Sequence, residues 1–116
     1  MFRIRHVDNV MIVDVSGELA LRNVRQLDQV IDSALDCDHG KLILDLSNLS
    51  HLDYKLVPHL VDRVVEVQCS GGDLKIASVN RYVDDILKVM GFEEERYPSV
   101  EEAVLSFTPL SDEAWH

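Results

Sequence analysis

The sequence predicts an α/β domain with a mixed, mostly parallel sheet of four to five strands, an N-terminal β-hairpin and about four helices. Short apolar strand segments alternate with amphipathic helical segments, which favours parallel strands joined by helices. No helical segment separates the first two strand segments, so these two should pair antiparallel. The chain has 116 residues, the size of one domain. We expect the domain over residues 1–108 and a C-terminal tail over 109–116.

The N-terminal hairpin is indicated by two strand patterns around a turn. "FRIRHV", residues 2–7, alternates between two faces, with Phe2, Ile4 and His6 on one and Arg3, Arg5 and Val7 on the other, as in a half-buried strand. Asp8 and Asn9 are a turn signal. "VMIVDVSG", residues 10–17, is a mostly apolar second strand.

A helix is predicted over residues 21–37 by apolar positions three and four apart: Val24, Leu27, Ile31, Ala34 and Leu35. Gly40 is suited to the left-handed position that follows a helix. "KLILDLS", residues 41–47, is then a strand with little polar content before Asp45. Such a strand is usually covered on both faces of its sheet.

The second helix is predicted to run to about residue 69, with two apolar rows: Leu56, Leu60 and Val64, then Val57, Val61 and Val65. Pro58 has no N–H to donate and disfavours helical angles at the residue before it. We therefore expect the regular helix to begin near Val57 or Pro58. Residues 53–56 should then form a looser loop.

The last third of the chain predicts a strand, a helix, a short edge strand and a final helix. "DLKIAS", residues 73–78, is the strand, and Asn80 and Gly91 are expected to begin and end the next helix. "FEEERY" is expected to hold the edge strand. Ser99 and Glu102 have capping-box spacing. The tail shows no period, although Trp115 could dock on the domain or on a second copy.

Charge and hydropathy exclude several classes of protein. The chain has 21 acids against 11 bases and a net charge of -10, which argues against a nucleic-acid surface. No apolar run is long enough for a membrane span, and the N-terminus alternates instead of resembling a secretion signal. We therefore expect a cytoplasmic protein. The acidity serves either solubility alone or attraction to a basic protein partner.

Motifs for catalysis or cofactor binding are absent from the sequence. There is no GxGxxG or GxxxxGK[ST] phosphate loop and no GxSxG nucleophile turn. Cys37 and Cys69 lack zinc-ligand spacing and are interpreted as helix residues rather than a disulfide. His51, Asp53 and His59 are close in sequence but poorly spaced for a metal. The residues thus predict a non-enzymatic binding domain without cofactor or metal.

Four segments together resemble a known family: "VMIVDVSGELAL", "LILDLSNLSHLD", "GGDLKIASVNRYVDDILKVMGFEE" and "YPSVEEAV". Their order and spacing resemble the STAS domain of the anti-sigma factor antagonist family. The resemblance spans about residues 2–107 and implies the STAS fold. It also implies a bacterial regulator of transcription, which binds an anti-sigma factor that is often a serine kinase and thereby releases a sigma factor.

The resemblance implies a regulatory turn of the form Asp-Ser-Ser/Thr-Gly, where phosphorylation ends binding by adding charge and bulk. Asp53 matches the aspartate of that turn. Tyr54 and Lys55 stand where the two hydroxyl residues belong, and Leu56 replaces the glycine. Lys55 thus occupies the phosphoacceptor position and cannot be phosphorylated by a serine kinase.

Two functional hypotheses follow from this turn. In the first, the chain is a partner-switching module no longer controlled at Lys55, with Asp53, Tyr54, Lys55, Leu56 and His59 as candidates for binding an anti-sigma factor or serine-kinase-like protein. In the second, it is a structural subunit of a stress-signalling or transport-associated complex, or a homodimer, with Leu56 and Trp115 as contacts. A drifted connector without function is the alternative at the turn itself. A nucleotide or small-molecule sensor has no support in the sequence.

Overall fold

The elements of the structure follow the predicted order, with two short strands added. A computed structural model describes residues 2–36 and 40–107. Over these residues there are seven strands and four helices: β1 Phe2–Val7, β2 Val10–Val15, β3 Gly17–Leu19, α1 Val24–Asp36, β4 Lys41–Asp45, β5 Leu49–Leu52, α2 Val57–Cys69, β6 Asp73–Ala77, α3 Arg81–Val89, β7 Arg96–Tyr97 and α4 Val100–Ser106. A 3-10 turn, Tyr54–Leu56, joins β5 to α2. The predicted α/β class is confirmed. Cys37 and the tail with Trp115 lie outside the described residues.

The main sheet of the described chain has five strands in the order β1-β2-β4-β6-β7. β1 and β2 are antiparallel, and all other neighbours are parallel. The hairpin turn consists of Asp8 and Asn9, with φ of 51° and 71°. Two consecutive residues with positive φ give the twist that a two-residue hairpin needs, and Asp and Asn tolerate it. The predicted hairpin is therefore confirmed.

The two added strands, β3 and β5, form a separate parallel pair. Both are too short to show a period in the sequence, with three and four residues. The side chain of Ser50 donates to the Gly17 carbonyl at 2.7 Å, and the Gly17 N–H donates to the Asn48 carbonyl at 3.1 Å. These hydrogen bonds tie the start of β3 to β5 and to the residue before it.

The core lies on both faces of the main sheet. On one face, α1, α2 and α3 pack against alternate residues of the strands, such as Val13, Leu44 and Ile76. On the other face, α4 packs against Ile12 and Ile43. The strand β4 is buried from both sides, as its apolar sequence predicted.

β1 is less buried than its alternation predicted. It is the outer strand of the sheet, and its residues are exposed from Arg3 to Val7. Arg5 is held by Asp14, with two hydrogen bonds of 3.0 Å to its carboxylate. An edge strand with charged side chains is protected from pairing with another chain.

The first helix begins at Val24 rather than at residue 21. Asn23 explains the difference, because its side chain accepts from the N–H of Ala20 at 2.8 Å and donates to the Glu18 carbonyl at 2.7 Å. The side chain thus satisfies loop backbone groups instead of helical ones.

Gly40 does not have the left-handed conformation predicted for it, since it is not among the residues with positive φ. Its role is close packing against Gly72. A Cβ built on Gly72 would collide with the Gly40 carbonyl oxygen and lie 2.8 Å from its Cα. Gly91, in contrast, has a φ of 82° and ends α3 as predicted.

The rows predicted for α2 are correct except at one position. Leu60 and Val64 are buried, but Val65 is exposed and Val67 takes its place in the core. Cys69 is the last residue of α2, which confirms the prediction that it is a helix residue. Its thiol is free. Within the described residues, no helix has both the length and the apolar composition needed to cross a bilayer.

Candidate functional site

The loops that follow β3, β5 and β6 are held together by hydrogen bonds at one end of the molecule. The Asp53 N–H donates to the Leu19 carbonyl at 3.0 Å, which joins the first two loops. The Asn80 side-chain amide donates to the Leu49 carbonyl at 2.9 Å, which fixes the third. Asp53, Tyr54 and Lys55, three of the residues predicted to bind a partner, therefore lie in a segment that is tied to two other loops.

The segment after β5 is an ordered turn, so the prediction of a looser loop there is wrong. The Asp53 carboxylate accepts from the Lys55 N–H at 3.0 Å. The Asp53 carbonyl accepts from the Leu56 N–H at 2.9 Å, which closes the 3-10 turn. A capping aspartate at this position satisfies a donor that a helix end leaves unpaired.

The prediction that regular helix begins at Val57 or Pro58 is confirmed. α2 begins at Val57, and Pro58 is in its first turn. The first N–H groups of a helix have no intrahelical acceptor, so the missing N–H of Pro58 costs nothing there.

The predicted partner-binding residues of the turn separate into exposed and buried ones. Tyr54 is 55% exposed, and Lys55 is exposed beside it. The Lys55 ammonium group has no ion pair with an acid of residues 2–36 or 40–107. Leu56 is 1% exposed and belongs to the core. Its predicted role as a contact residue is therefore wrong: the side chain that replaces a small residue here fills space inside the domain.

His59, the fifth candidate, faces α1. Its Nε2 lies 2.8 and 2.9 Å from the two carboxylate oxygens of Asp28. Its side chain remains 40% exposed. His59 therefore joins α2 to α1, while part of its ring remains at the surface.

A charged cluster next to His59 strengthens the same contact between α1 and α2. Arg63 is buried and donates to Asp32 at 2.5 Å and to Glu66 at 3.3 Å. Burial acts to lower the pKa of Arg63, but the hydrogen bond and charge of Asp32, with the charges of Glu66 and Asp28, outweigh it and raise the pKa. The guanidinium group therefore stays charged and is bound by carboxylates of α1 and of α2.

His51 has a partner that its sequence position did not reveal. Its Nδ1 and the Tyr82 hydroxyl are 2.7 Å apart, and the two rings stack with centroids 6.0 Å apart. This hydrogen bond links β5 to α3. Among the described residues, no three His, Cys, Asp or Glu side chains are grouped as metal ligands.

The sequence pattern did not single out Tyr82 or the exposed face of α3. Val83 and Leu87 are the buried residues of this helix. Tyr82, Ile86 and Val89 recur at four and three on a second, neighbouring face. A helix with two adjacent apolar faces is the signal that could have indicated a surface beyond the core.

The comparisons with known proteins identify the family. A family model of the STAS domain matches residues 1–103, most of the chain. The chain belongs to the STAS domain family. A comparison with curated proteins found no match.

Solved STAS proteins have the same fold. A candidate anti-sigma factor antagonist of Thermotoga maritima is 25% identical, with a TM-score of 0.81 over 90% of this chain and 92% of that one. The phosphorylated form of SpoIIAA, a Bacillus cell fate determinant, is 19% identical, with a TM-score of 0.72 over 92% and 99% of the two chains. RsbS of Moorella thermoacetica, with a serine replaced by glutamate, is 15% identical, with a TM-score of 0.78 over 96% and 97%.

Proposed function

We propose that this STAS domain is a non-enzymatic regulatory module that binds an anti-sigma factor or a serine-kinase-like protein through the surface around Tyr54 and Lys55. The observation that supports this most is the turn itself, which is exposed at these two residues yet fixed by the Asp53 cap. A preordered turn loses little conformational entropy on binding, which favours affinity.

The same proposal holds that phosphorylation does not control binding at this turn. Lys55 has no hydroxyl group, and it stands at the position that the family resemblance assigns to the phosphoacceptor. A phosphate would bring nearly two negative charges, whereas Lys55 brings one positive charge. An interface that fits Lys55 would therefore persist when a serine kinase and ATP are present.

The charge of the whole chain supports a basic partner. A net charge of -10 creates a long-range field that attracts positive surfaces and repels acidic ones. Because the proposed partners control transcription, the proposal places the protein in the bacterial cytoplasm. The proposed role requires binding alone, without cofactor or metal.

The test combines a candidate anti-sigma kinase with ATP and measures both the complex and its modification. We expect the complex to survive ATP, and mass spectrometry to find no phosphate on residues 53–56. Lys55→Glu should weaken binding because the part of the partner that faces Lys55 must accommodate an ammonium group, even though the partner is basic as a whole. Leu105→Gln serves as a control, since Leu105 is exposed on α4, across the sheet. Phosphate on Tyr54 would contradict the proposal, and phosphate on Ser50 would indicate a displaced switch instead.

A further inference from the structure

An apolar groove borders the exposed turn. It lies between the 3-10 turn and α3, has a volume of about 500 Å³, and is lined by Tyr54, Tyr82, Asp85, Ile86, Val89 and Met90. We call it the α3 groove. Tyr54 belongs both to this groove and to the surface proposed to bind a partner.

Three apolar side chains of the α3 groove are exposed, Tyr54, Tyr82 and Val89, while Ile86 and Met90 are partly buried against the core. Val89 is 83% exposed, and Tyr82 is 47% exposed. Single exposed apolar residues are ordinary, whereas adjacent ones that line one groove can be covered together by one partner. Tyr side chains are favoured in such surfaces, since they bury a large area with few rotatable bonds.

One wall of the α3 groove, formed by α3 itself, is held in place before any ligand binds. The hydrogen bond to His51 holds the Tyr82 ring, and Asn80 caps α3 by accepting from the Val83 N–H at 2.8 Å. Met90 at the end of the helix is unbranched and adapts to different shapes. The groove therefore combines a rigid wall with one adaptable side chain.

Charge indicates what the groove accepts. Asp85 is the single charged side chain among the lining residues, and it is exposed. Its carboxylate has no hydrogen bond or ion pair with the described residues. The preceding Asp84, in contrast, is already bound by Arg96 at 2.9 Å and Lys88 at 3.0 Å. Among the described residues, no cation competes with a partner for the Asp85 carboxylate.

A second copy of the chain fits the groove poorly. Pairing α3 with α3 would bring two Asp85 carboxylates together, and each copy has a net charge of -10. A partner of opposite charge is favoured.

The outer face of α2 is a less suitable continuation of the surface. His59, near its start, already contacts Asp28 of α1, and Arg63 in the middle of the helix is buried and donates to Asp32. A partner that used His59 would have to compete with its contact to Asp28. The groove on α3 offers apolar area without such competition.

We propose that the α3 groove binds an amphipathic helix of a basic partner protein. Its apolar residues at i, i+4 and i+7 would lie against Tyr82, Ile86 and Val89, and a Lys or Arg on its flank would pair with Asp85. This is the helix-in-groove mode of recognition. This inference rests on the proposed function for the identity of the partner. It extends the proposed interface from the turn onto α3.

A designed peptide tests the groove without the native partner. The probe is a helical peptide of about 14 residues, with Leu at i, i+4 and i+7 and Arg on one flank. The control peptide has Glu in place of Arg. We expect the amide signals of Tyr82, Asp85 and Val89 to shift in a saturable NMR titration with the Arg peptide. The Glu peptide should bind about tenfold more weakly, which corresponds to about 1.4 kcal/mol.

Matched variants locate the binding. Val89→Gln should reduce the affinity for the Arg peptide about tenfold, because it removes an exposed apolar side chain without adding charge. Leu105→Gln is the matched control, since Leu105 is 67% exposed on α4, across the sheet. It should leave the affinity unchanged. Asp85→Lys should reverse the preference between the two peptides. Circular dichroism of each variant verifies that the fold is retained.

Three results would overturn the inference: no saturable binding, shifts centred on residues outside the groove, or a dimer in sedimentation that Val89→Gln dissociates. None of these results involves Lys55 or a kinase, so they leave the proposed function standing. Conversely, failure of the kinase complex with normal binding of the Arg peptide would count against the proposed function alone.

Discussion

The carboxylate of Asp53 accepts a hydrogen bond from the backbone N–H of Lys55 at 3.0 Å. This contact fixes the two exposed residues of the turn, and it does so within three positions of the chain. Removing it should therefore destabilise the turn without disturbing the rest of the sheet.

Asp53→Ala is expected to lower the free energy of unfolding by about 1 kcal/mol, the usual cost of losing a capping side chain. Asp53→Asn should retain most of the stability, because an Asn side chain caps almost as well. Urea denaturation of the three proteins measures the difference. Equal losses in both variants would show that the charge of Asp53, rather than its hydrogen bond, stabilises the turn.

Leu56→Ala is expected to lower the free energy of unfolding by about 2–5 kcal/mol, since it leaves a cavity beneath the turn. Leu105→Ala makes the same chemical change on the surface and should cost no more than about 0.5 kcal/mol. Thermal denaturation compares the two. A small effect at Leu56 would mean that its side chain contributes little to the core and that the turn is free to move.

Asp84 predicts a dependence of stability on pH. Partial burial acts to raise its pKa, but the hydrogen bonds from Lys88 and Arg96, with their charges, outweigh burial and lower the pKa below its ordinary value. The folded state then binds fewer protons than the unfolded state at acidic pH, so this contribution is complete above about pH 4 and declines as the pH falls further. Asp84→Asn should be less stable than the wild type at pH 7.

The difference between Asp84→Asn and the wild type should shrink progressively below about pH 4, where the wild-type carboxylate becomes protonated. Denaturant unfolding at a series of pH values measures it. Asp85→Asn is a control, because the described structure gives Asp85 no ionic partner. A stability difference between Asp84→Asn and the wild type that stays constant with pH would contradict the lowered pKa of Asp84.

Gly72→Ala is expected to destabilise the domain by about 1–3 kcal/mol, because the added Cβ would meet the backbone of Gly40 and force the two loops apart. The Asp73 N–H donates to the Gly40 carbonyl at 2.7 Å, so that hydrogen bond should weaken as well. Hydrogen exchange at Asp73 reports this locally. Lys41→Ala, at an exposed neighbouring residue, should be nearly neutral.

Features encoded by neighbouring residues could be predicted from the sequence. The apolar run of β4 and the periodic positions of α1 show their structure within a few residues, since strands and helices repeat at fixed intervals. Asn80 and Ser99 could be recognised as caps, because the amides they satisfy lie three residues away. Lys55 was placed at the phosphoacceptor position by the resemblance of the same local segment to the family.

Tertiary structure decided the features that join distant parts of the chain. β3 and β5 are too short to have a period, and they exist as strands because Leu19 and Leu52 pair across the fold. Leu56 could be placed at the surface or in the core from sequence, and only the packing of α2 against the sheet buries it. The α3 groove requires Tyr54 to lie beside Tyr82 and Val89, which follow it by 28 and 35 residues. The local sequence determined the elements and their order, whereas contacts between distant residues determined which side chains remain available to a partner.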